Sequence, residues 1–167
     1  EDRPVSGARL KAVIAGAGGK MGRALIEAVL ADDALALVAL LDAKGSPALG
    51  TEIGGFKVGS DAAAAATLGE VLFDFTRPEG TLAHLQACLK AGTAMVIGTT
   101  GLSDSQMNSI RQAGKKIPIV LAPNFAVGVN VLFKLAETAA QAFGDAYDVE
   151  IVEAHHRHKV DAPSGTA

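Results

Sequence analysis

The chain of 167 residues has no tryptophan, one tyrosine and one cysteine, and aromatic residues make up 4% of it. Without large rings the interior must be filled by Ala, Val, Leu and Ile. A single cysteine, Cys88, excludes an intrachain disulfide framework and fits a reducing compartment. Cys88 falls in a helical pattern and reads as a small buried residue. No run of Lys and Arg and no basic patch interleaved with aromatics occurs, so nucleic acid is not an expected partner. The net charge of −3 is mild. No apolar run approaches the ~20 residues that span a bilayer, and residues 1–7 carry no apolar signal core. We therefore expect a cytoplasmic chain with no membrane partner.

What is present is apolar and small. Hydrophobic residues are 49% of the chain and glycines number 19, which suits helices packed closely on a sheet. Short continuous apolar runs alternate with helical spacing. Strands are expected at Leu10 to Ala15, Leu35 to Leu41, Val71 to Phe75, Ala94 to Ile97 and Ile117 to Leu121, with a short one at Phe56 to Val58 inside a Gly/Pro-rich loop. The last expected strand is Tyr147 to Ala154. Helices are expected at Lys20 to Ala31, with Met21, Leu25, Ala28 and Val29 on one side, and at Asp61 to Thr67. Others follow at Glu79 to Ala91 behind Pro78, from Ser103 to Ala113, and at Val129 to Phe143. Apolar runs buried on both faces and joined by helices define an α/β fold with a doubly wound parallel sheet.

Ligands in such sheets bind beyond the carboxyl ends of the strands. Val13-Ile14-Ala15-Gly16-Ala17-Gly18-Gly19-Lys20-Met21-Gly22 joins the first strand to the first helix. Glycines there allow a tight turn and close approach to a pyrophosphate, and the helix N-terminus adds partial positive charge. The strict G-x-G-x-x-G spacing fails at Met21; Gly16, Gly19 and Gly22 form G-x-x-G-x-x-G instead. Asp42 ends the second strand, 20 residues after Gly22, where a carboxylate accepts hydrogen bonds from ribose hydroxyls. That carboxylate repels a 2′-phosphate and favours NAD, whereas Lys20 and Lys44 lie near in sequence and can attract one, so NADH and NADPH both remain open. Phe75-Thr76-Arg77-Pro78, Gly98-Thr99-Thr100-Gly101 and Ala122-Pro123-Asn124-Phe125 sit at further strand ends and are candidates to line the same groove.

Three of the four histidines fall within Glu153-Ala154-His155-His156-Arg157-His158-Lys159-Val160-Asp161-Ala162-Pro163-Ser164-Gly165-Thr166-Ala167. One reading is a site that handles protons and binds anions. Imidazole titrates near neutral pH, Lys159 can donate a proton, and Pro163 to Thr166 can open a helix whose free N–H groups hold a carboxylate. A metal site at His155, His156 and His158 is disfavoured, because adjacent residues of an extended segment point to opposite faces and Arg157 and Lys159 oppose a divalent cation. No metal is expected. A solvated loop is the third reading. The chain stops directly after this polar stretch, and we expect it to be a piece of a longer one.

These motifs together, including Phe75-Thr76-Arg77-Pro78-Glu79-Gly80-Thr81 and Asn124-Phe125-Ala126-Val127-Gly128-Val129-Asn130, resemble the dihydrodipicolinate reductase family from Leu10 onward. The resemblance implies a Rossmann-like cofactor domain over residues 9–126 after an extension at 1–8. It implies that 127–167 are a hinge and the start of an α+β substrate-binding domain, most of which lies outside this chain. It further implies a homotetramer that uses NADH and/or NADPH to reduce a cyclic imine dicarboxylate in lysine and diaminopimelate synthesis. By the resemblance, Gly16, Ala17, Gly18, Gly19, Lys20 and Met21 bind the pyrophosphate and Asp42 the adenosine ribose. Gly98, Thr99, Thr100, Ala122, Pro123, Asn124 and Phe125 flank the nicotinamide half. His155 matches the acid/base position and Lys159 the proton donor, while His156, Gly165 and Thr166 match carboxylate contacts. Members that bind NADP often place an arginine directly after the acidic residue, where this chain has Ala43. The alternatives are another Rossmann dehydrogenase of amino-acid metabolism and a non-catalytic dinucleotide-binding domain. For a chain ending at Ala167 we expect cofactor binding with little or no turnover.

Overall fold

The computed structural model describes residues 8–155, 157, 163 and 164. The chain divides into two compact units, Glu1–Leu121 and Ala122–Ala167.

The first unit contains β1 (Leu10–Ala15), α1 (Lys20–Ala31), β2 (Leu35–Leu41), β3 (Glu52–Ile53) and β4 (Phe56–Gly59), then α2 (Ala62–Leu68), β5 (Val71–Asp74) and α3 (Pro78–Ala91). It ends with β6 (Ala94–Ile97), α4 (Asp104–Ala113) and β7 (Ile119–Leu121). The sheet order is β3-β4-β2-β1-β5-β6-β7. Every pairing is parallel except β3 with β4, so the expected doubly wound sheet is present. The loop expected from Lys44 to Ser60 holds one strand more than its sequence suggests. Gly54 and Gly55, both at positive φ, turn β3 back onto β4, as a two-residue hairpin requires.

β1 shows why the sheet is buried on both faces. Val13 and Ala15 join a core with Ala65 and Ala66 of α2, Leu85 and Cys88 of α3, and Ile110 and Ala113 of α4. Ala12 and Ile14, pointing the opposite way, pack with Ile26 and Val29 of α1. Side-chain alternation along a strand gives each helical layer its own half of the apolar surface. Helix ends follow local chemistry. Asp61 caps α2 by accepting from the Ala64 amide at 3.0 Å. At α4, the Gln106 side chain accepts from the Ser103 amide at 2.8 Å in a capping box. Pro78 opens α3, and Gly92 closes it at φ +77°.

The inward face of α1 differs from the expected one. Gly22, Ile26 and Val29 are buried, whereas Met21 is 49% exposed and Ala28 is exposed. Gly22 sets this rotation by packing on backbone, as described below.

The second unit contains α5 (Val127–Phe143), two residues longer at its start than expected, and a 3₁₀ turn (Gly144–Ala146). Asn124 Oδ1 accepts from the Ala126 amide at 2.8 Å. The Asn130 side chain donates to the Asn124 and Ala126 carbonyls, both at 3.0 Å, which secures the helix start. No described residue of α5 is buried, and the rings of Phe143 and Tyr147 stack with centroids 5.0 Å apart. The strand expected at Tyr147 to Ala154 is not formed. A strand exists only as a partner in a ladder, and the described residues offer this segment none. Among the described residues no helix is long and apolar enough to cross a membrane.

Candidate cofactor cleft and histidine segment

A cleft of about 590 Å³ opens at the carboxyl ends of β1, β2 and β5, lined by Gly16, Gly19, Asp42, Phe75, Thr76, Arg77 and His84 among others. It lies wholly within the first unit. Three segments singled out from the sequence therefore meet: the glycine loop, the acid after β2, and the Phe75-Thr76-Arg77 turn.

Three glycines of the loop each have their own reason. Gly16 sits at φ +77°, which an L side chain adopts only with strain. A Cβ on Gly18 would lie 2.7 Å from the Ala48 Cβ and 2.8 Å from Asp42 Oδ2. A Cβ on Gly22 would overlap the Gly16 carbonyl and come within 2.9 Å of the Ala17 Cα. Gly22 thus brings the first turn of α1 down onto the end of β1. The loop amides are mostly committed within the chain. Gly16 and Ala17 both donate to the Leu41 carbonyl at 2.9 Å, and Gly19 donates to the Gly16 carbonyl at 3.0 Å. The amides of Lys20, Met21 and Gly22 have no acceptor in their own helix, and α1 has no side-chain cap. An anion of phosphate type fits there. Ala17 is buried with its side chain in the core, and Lys20 and Met21 are exposed.

Asp42 is held by the loop it faces. Its Oδ2 accepts from the Gly18 amide at 2.8 Å, and its Oδ1 accepts from the Ala43 amide at 2.7 Å. The glycine loop and the carboxylate are therefore one unit, which also borders a second depression of about 360 Å³ with Gly18, Gly19, Arg23 and Ser46.

The most organised polar group behind the cleft wall was not singled out from the sequence. Asp74, the last residue of β5, is fully buried. Its Oδ2 accepts from His84 Nδ1 at 2.7 Å. Its Oδ1 accepts from the Thr76 hydroxyl at 2.6 Å, the Thr76 amide at 3.0 Å and the Thr99 hydroxyl at 3.3 Å, while the Thr81 hydroxyl, also 3.3 Å away, donates to Thr99 Oγ1 at 2.8 Å. Burial alone would raise the Asp74 carboxyl. The hydrogen bond from His84 Nδ1, with the two bonds from Thr76, outweighs it, and the net direction is downward. The available signal was an acid closing an otherwise apolar strand, Val71-Leu72-Phe73, and a lone histidine one helical stretch later. Thr99 enters this network and is buried, Gly98 packs so tightly on the Phe75 ring that a Cβ would overlap it, and Thr100 is exposed. Cys88 is buried, and burial with the negative charge of Asp74 pushes its thiol up to about 12.

In the second unit, Ala122, Pro123, Asn124 and Phe125 precede α5, and Asn124 is committed to the helix start as described. Glu153 organises the histidine segment. Its Oε1 accepts from the Ser164 amide at 2.9 Å, and its Oε2 is 2.7 Å from His155 Nε2. The bonds from Ser164, then the one with His155, lower the Glu153 carboxyl to about 2. The carboxylate that the Ser164 amide holds is thus the chain's own. Pro163 and Ser164 are not helical. The calls on His156, Lys159, Gly165 and Thr166 lie outside the described residues, as does His158 of the disfavoured metal trio. Among the described residues no group of His, Cys, Asp and Glu is arranged to hold a metal ion.

A parallel sheet with a glycine turn, an acid after β2 and a cleft at the strand ends defines a Rossmann-type nucleotide-binding domain. Residues 10–125 match the family model of the dihydrodipicolinate reductase N-terminus and residues 128–167 that of its C-terminus. The chain belongs to the dihydrodipicolinate reductase family. The matched N-terminal domain is the dinucleotide-binding domain of these reductases, which use NADH or NADPH. The chain is 57% identical over 161 residues to the 4-hydroxy-tetrahydrodipicolinate reductase of Dechloromonas aromatica (strain RCB), covering 92% of this chain and 60% of the relative. It is 52% identical over 165 residues to the enzyme of that name from Laribacter hongkongensis (strain HLHK9), covering 95% and 62%. The structure of dipicolinate-bound dihydrodipicolinate reductase from Paenisporosarcina sp. TG-14 superposes with a TM-score of 0.75 at 34% identity, over 95% of this chain and 63% of that one. The chain therefore spans about three-fifths of the length of the relatives it matches.

Proposed function

We propose that this chain carries the dinucleotide site and the proton-transfer segment of a reductase acting on 4-hydroxy-tetrahydrodipicolinate in lysine and diaminopimelate synthesis. The observation that carries the reading is the cleft in which Gly16, Gly19 and Asp42 converge at the strand ends. Membership of the family and the names of its relatives support the substrate class.

NADH or NADPH, when bound, supplies the hydride. The chain's own groups bind and orient it. The free amides of Lys20, Met21 and Gly22 are the donors for the pyrophosphate, and the Gly16–Gly19 turn keeps side chains out of its way. Asp42 Oδ1 and Oδ2, already oriented by two amides, accept from the ribose hydroxyls. Gly98, Thr99 and Thr100, with Ala122 to Phe125, are the groups for the nicotinamide half. Hydride addition to the conjugated imine leaves negative charge on the substrate, which a proton must quench. Lys159 is the proposed donor and His155 the acid/base group. Glu153 Oε2 holds His155 Nε2, so in neutral imidazole the proton faces Glu153 and Nδ1 is the acceptor. His156 and the amides of Gly165 and Thr166 are the proposed carboxylate contacts. Residues 127–167 begin the substrate-binding domain, and the full-length protein is a cytoplasmic homotetramer.

Calorimetric titration of the chain with NADH and NADPH, beside Asp42→Ala, tests the reading. At least one cofactor should bind, and the variant should bind NADH about tenfold more weakly, in keeping with the loss of hydrogen bonds to a charged acceptor. Equal NADH affinity in the variant would refute the role of Asp42. No binding of either cofactor to the folded chain would refute the site as drawn.

A further inference from the structure

Asp74 touches nothing in solvent, yet it bonds to the groups that form one wall of the cleft. It sits in the centre of the sheet, opposite Ala15 of β1 and Ile97 of β6. An ionised carboxylate only accepts hydrogen bonds. The polar hydrogens around it must therefore point inward. The Thr81 hydroxyl donates to Thr99 Oγ1 at 2.8 Å, and Thr99 passes its own proton on to Asp74 Oδ1 at 3.3 Å. The Thr76 hydroxyl gives its proton to Asp74 at 2.6 Å in preference to the Arg77 carbonyl at 3.4 Å. His84 must carry its proton on Nδ1 to meet Oδ2 at 2.7 Å. Neutral His84 then has Nε2 as a bare acceptor, and Thr76 Oγ1 has only lone pairs left to offer. Thr76 and His84 both line the cleft, and Asp74 does not.

We propose that Asp74 is a positioning residue of the dinucleotide cleft, holding Thr76 and His84 as hydrogen-bond acceptors for hydroxyl- or amine-bearing parts of the ligand. This rests on the dinucleotide reading above. It gives the buried acid a part in recognition that it performs through two other side chains. Gly80 belongs to the arrangement, because a Cβ there would lie 2.9 Å from the Thr76 hydroxyl.

The test is Asp74→Asn, which keeps the size of the side chain and turns one acceptor into a donor. Long-range ¹H–¹⁵N correlation spectra read the His84 tautomer directly. The unsubstituted chain should show the proton on Nδ1, and the variant should show it on Nε2. NADH affinity should fall about tenfold in the variant, the effect expected when a buried donor–acceptor match is reversed. An Nε2-protonated His84 in the unsubstituted chain, or NADH affinity within about twofold in the variant, would overturn the proposal. If Asp74→Asn does not fold, His84→Asn takes its place. It keeps a donor for Asp74 and deletes Nε2, so it should lose affinity to a similar degree, and unchanged affinity is again fatal. Failure of the unsubstituted chain to bind either NADH or NADPH strikes the dinucleotide reading itself, and the variants are titrated with whichever cofactor binds. Failure confined to the variants strikes only the role of Asp74.

Discussion

Gly22→Ala is the perturbation for which local and tertiary physics disagree in sign. Within α1 an alanine is favoured over glycine by about 1 kcal/mol, because it restricts the unfolded chain and supports the helix. The new Cβ, however, would overlap the Gly16 carbonyl and sit 2.9 Å from the Ala17 Cα. Both neighbours are backbone, and Gly16 is tied to Leu41, so neither can rotate aside. Overpacking of this kind costs typically 1–3 kcal/mol. Relief requires α1 to lift off the end of β1, which moves the Lys20 and Met21 amides away from the turn. Set against the helix gain of about 1 kcal/mol, this overpacking leaves a net loss of up to about 2 kcal/mol, a fall in Tm of up to roughly 8 °C for a chain of this size. NADH affinity should drop at least about tenfold. Gly114→Ala is the control. Gly114 lies at φ −61°, and a Cβ there meets nothing closer than the Arg111 carbonyl at 3.5 Å. The same substitution should be neutral or stabilise by up to about 1 kcal/mol and leave cofactor binding alone. Thermal melts and titrations of both variants decide the matter. A Gly22→Ala chain as stable as its parent, with unchanged NADH affinity, would refute the packing argument.

Two further expectations concern ionisation. Cys88 is buried and its thiol is pushed up to about 12, so it should resist a thiol reagent at neutral pH until the chain unfolds; rapid labelling of the native chain would contradict its placement. Asp74 and Glu153 both have lowered carboxyls, Glu153 to about 2. Each contributes stability that is present above the ordinary carboxylate range and is lost as pH falls, because the unfolded chain then takes up protons that the native chain refuses. Urea melts from about pH 6 down to about pH 3 should show stability falling, with a shallower slope in Asp74→Asn. An unchanged slope would mean that Asp74 is not ionised in the native state.

The α/β alternation and most element positions were legible in the apolar runs, since a strand buried on both faces leaves a continuous stretch such as Leu35 to Leu41. The glycine loop and Asp42 were legible too, because a turn at positive φ and a close helix approach admit few other residues. The rotation of α1 was not. Gly22 has no side chain to register as apolar, yet its lack of a Cβ decides which face turns inward. The Tyr147 to Ala154 segment alternates well enough to read as a strand, but pairing depends on a neighbour that local pattern does not encode.

By itself, then, the sequence determined the α/β alternation of the first unit, the family, and the chemistry available at the strand ends, because each follows from short-range spacing and residue type. Only the tertiary structure decided how those groups are wired. The carboxylate of Asp42 is bound by Gly18, 24 positions away, and that of Asp74 by Thr99, 25 positions away. Both bonds form because parallel strands bring their carboxyl ends to one edge. The folded edge, and no local pattern, turned an acid at the end of an apolar strand into the buried anchor of two cleft-lining side chains.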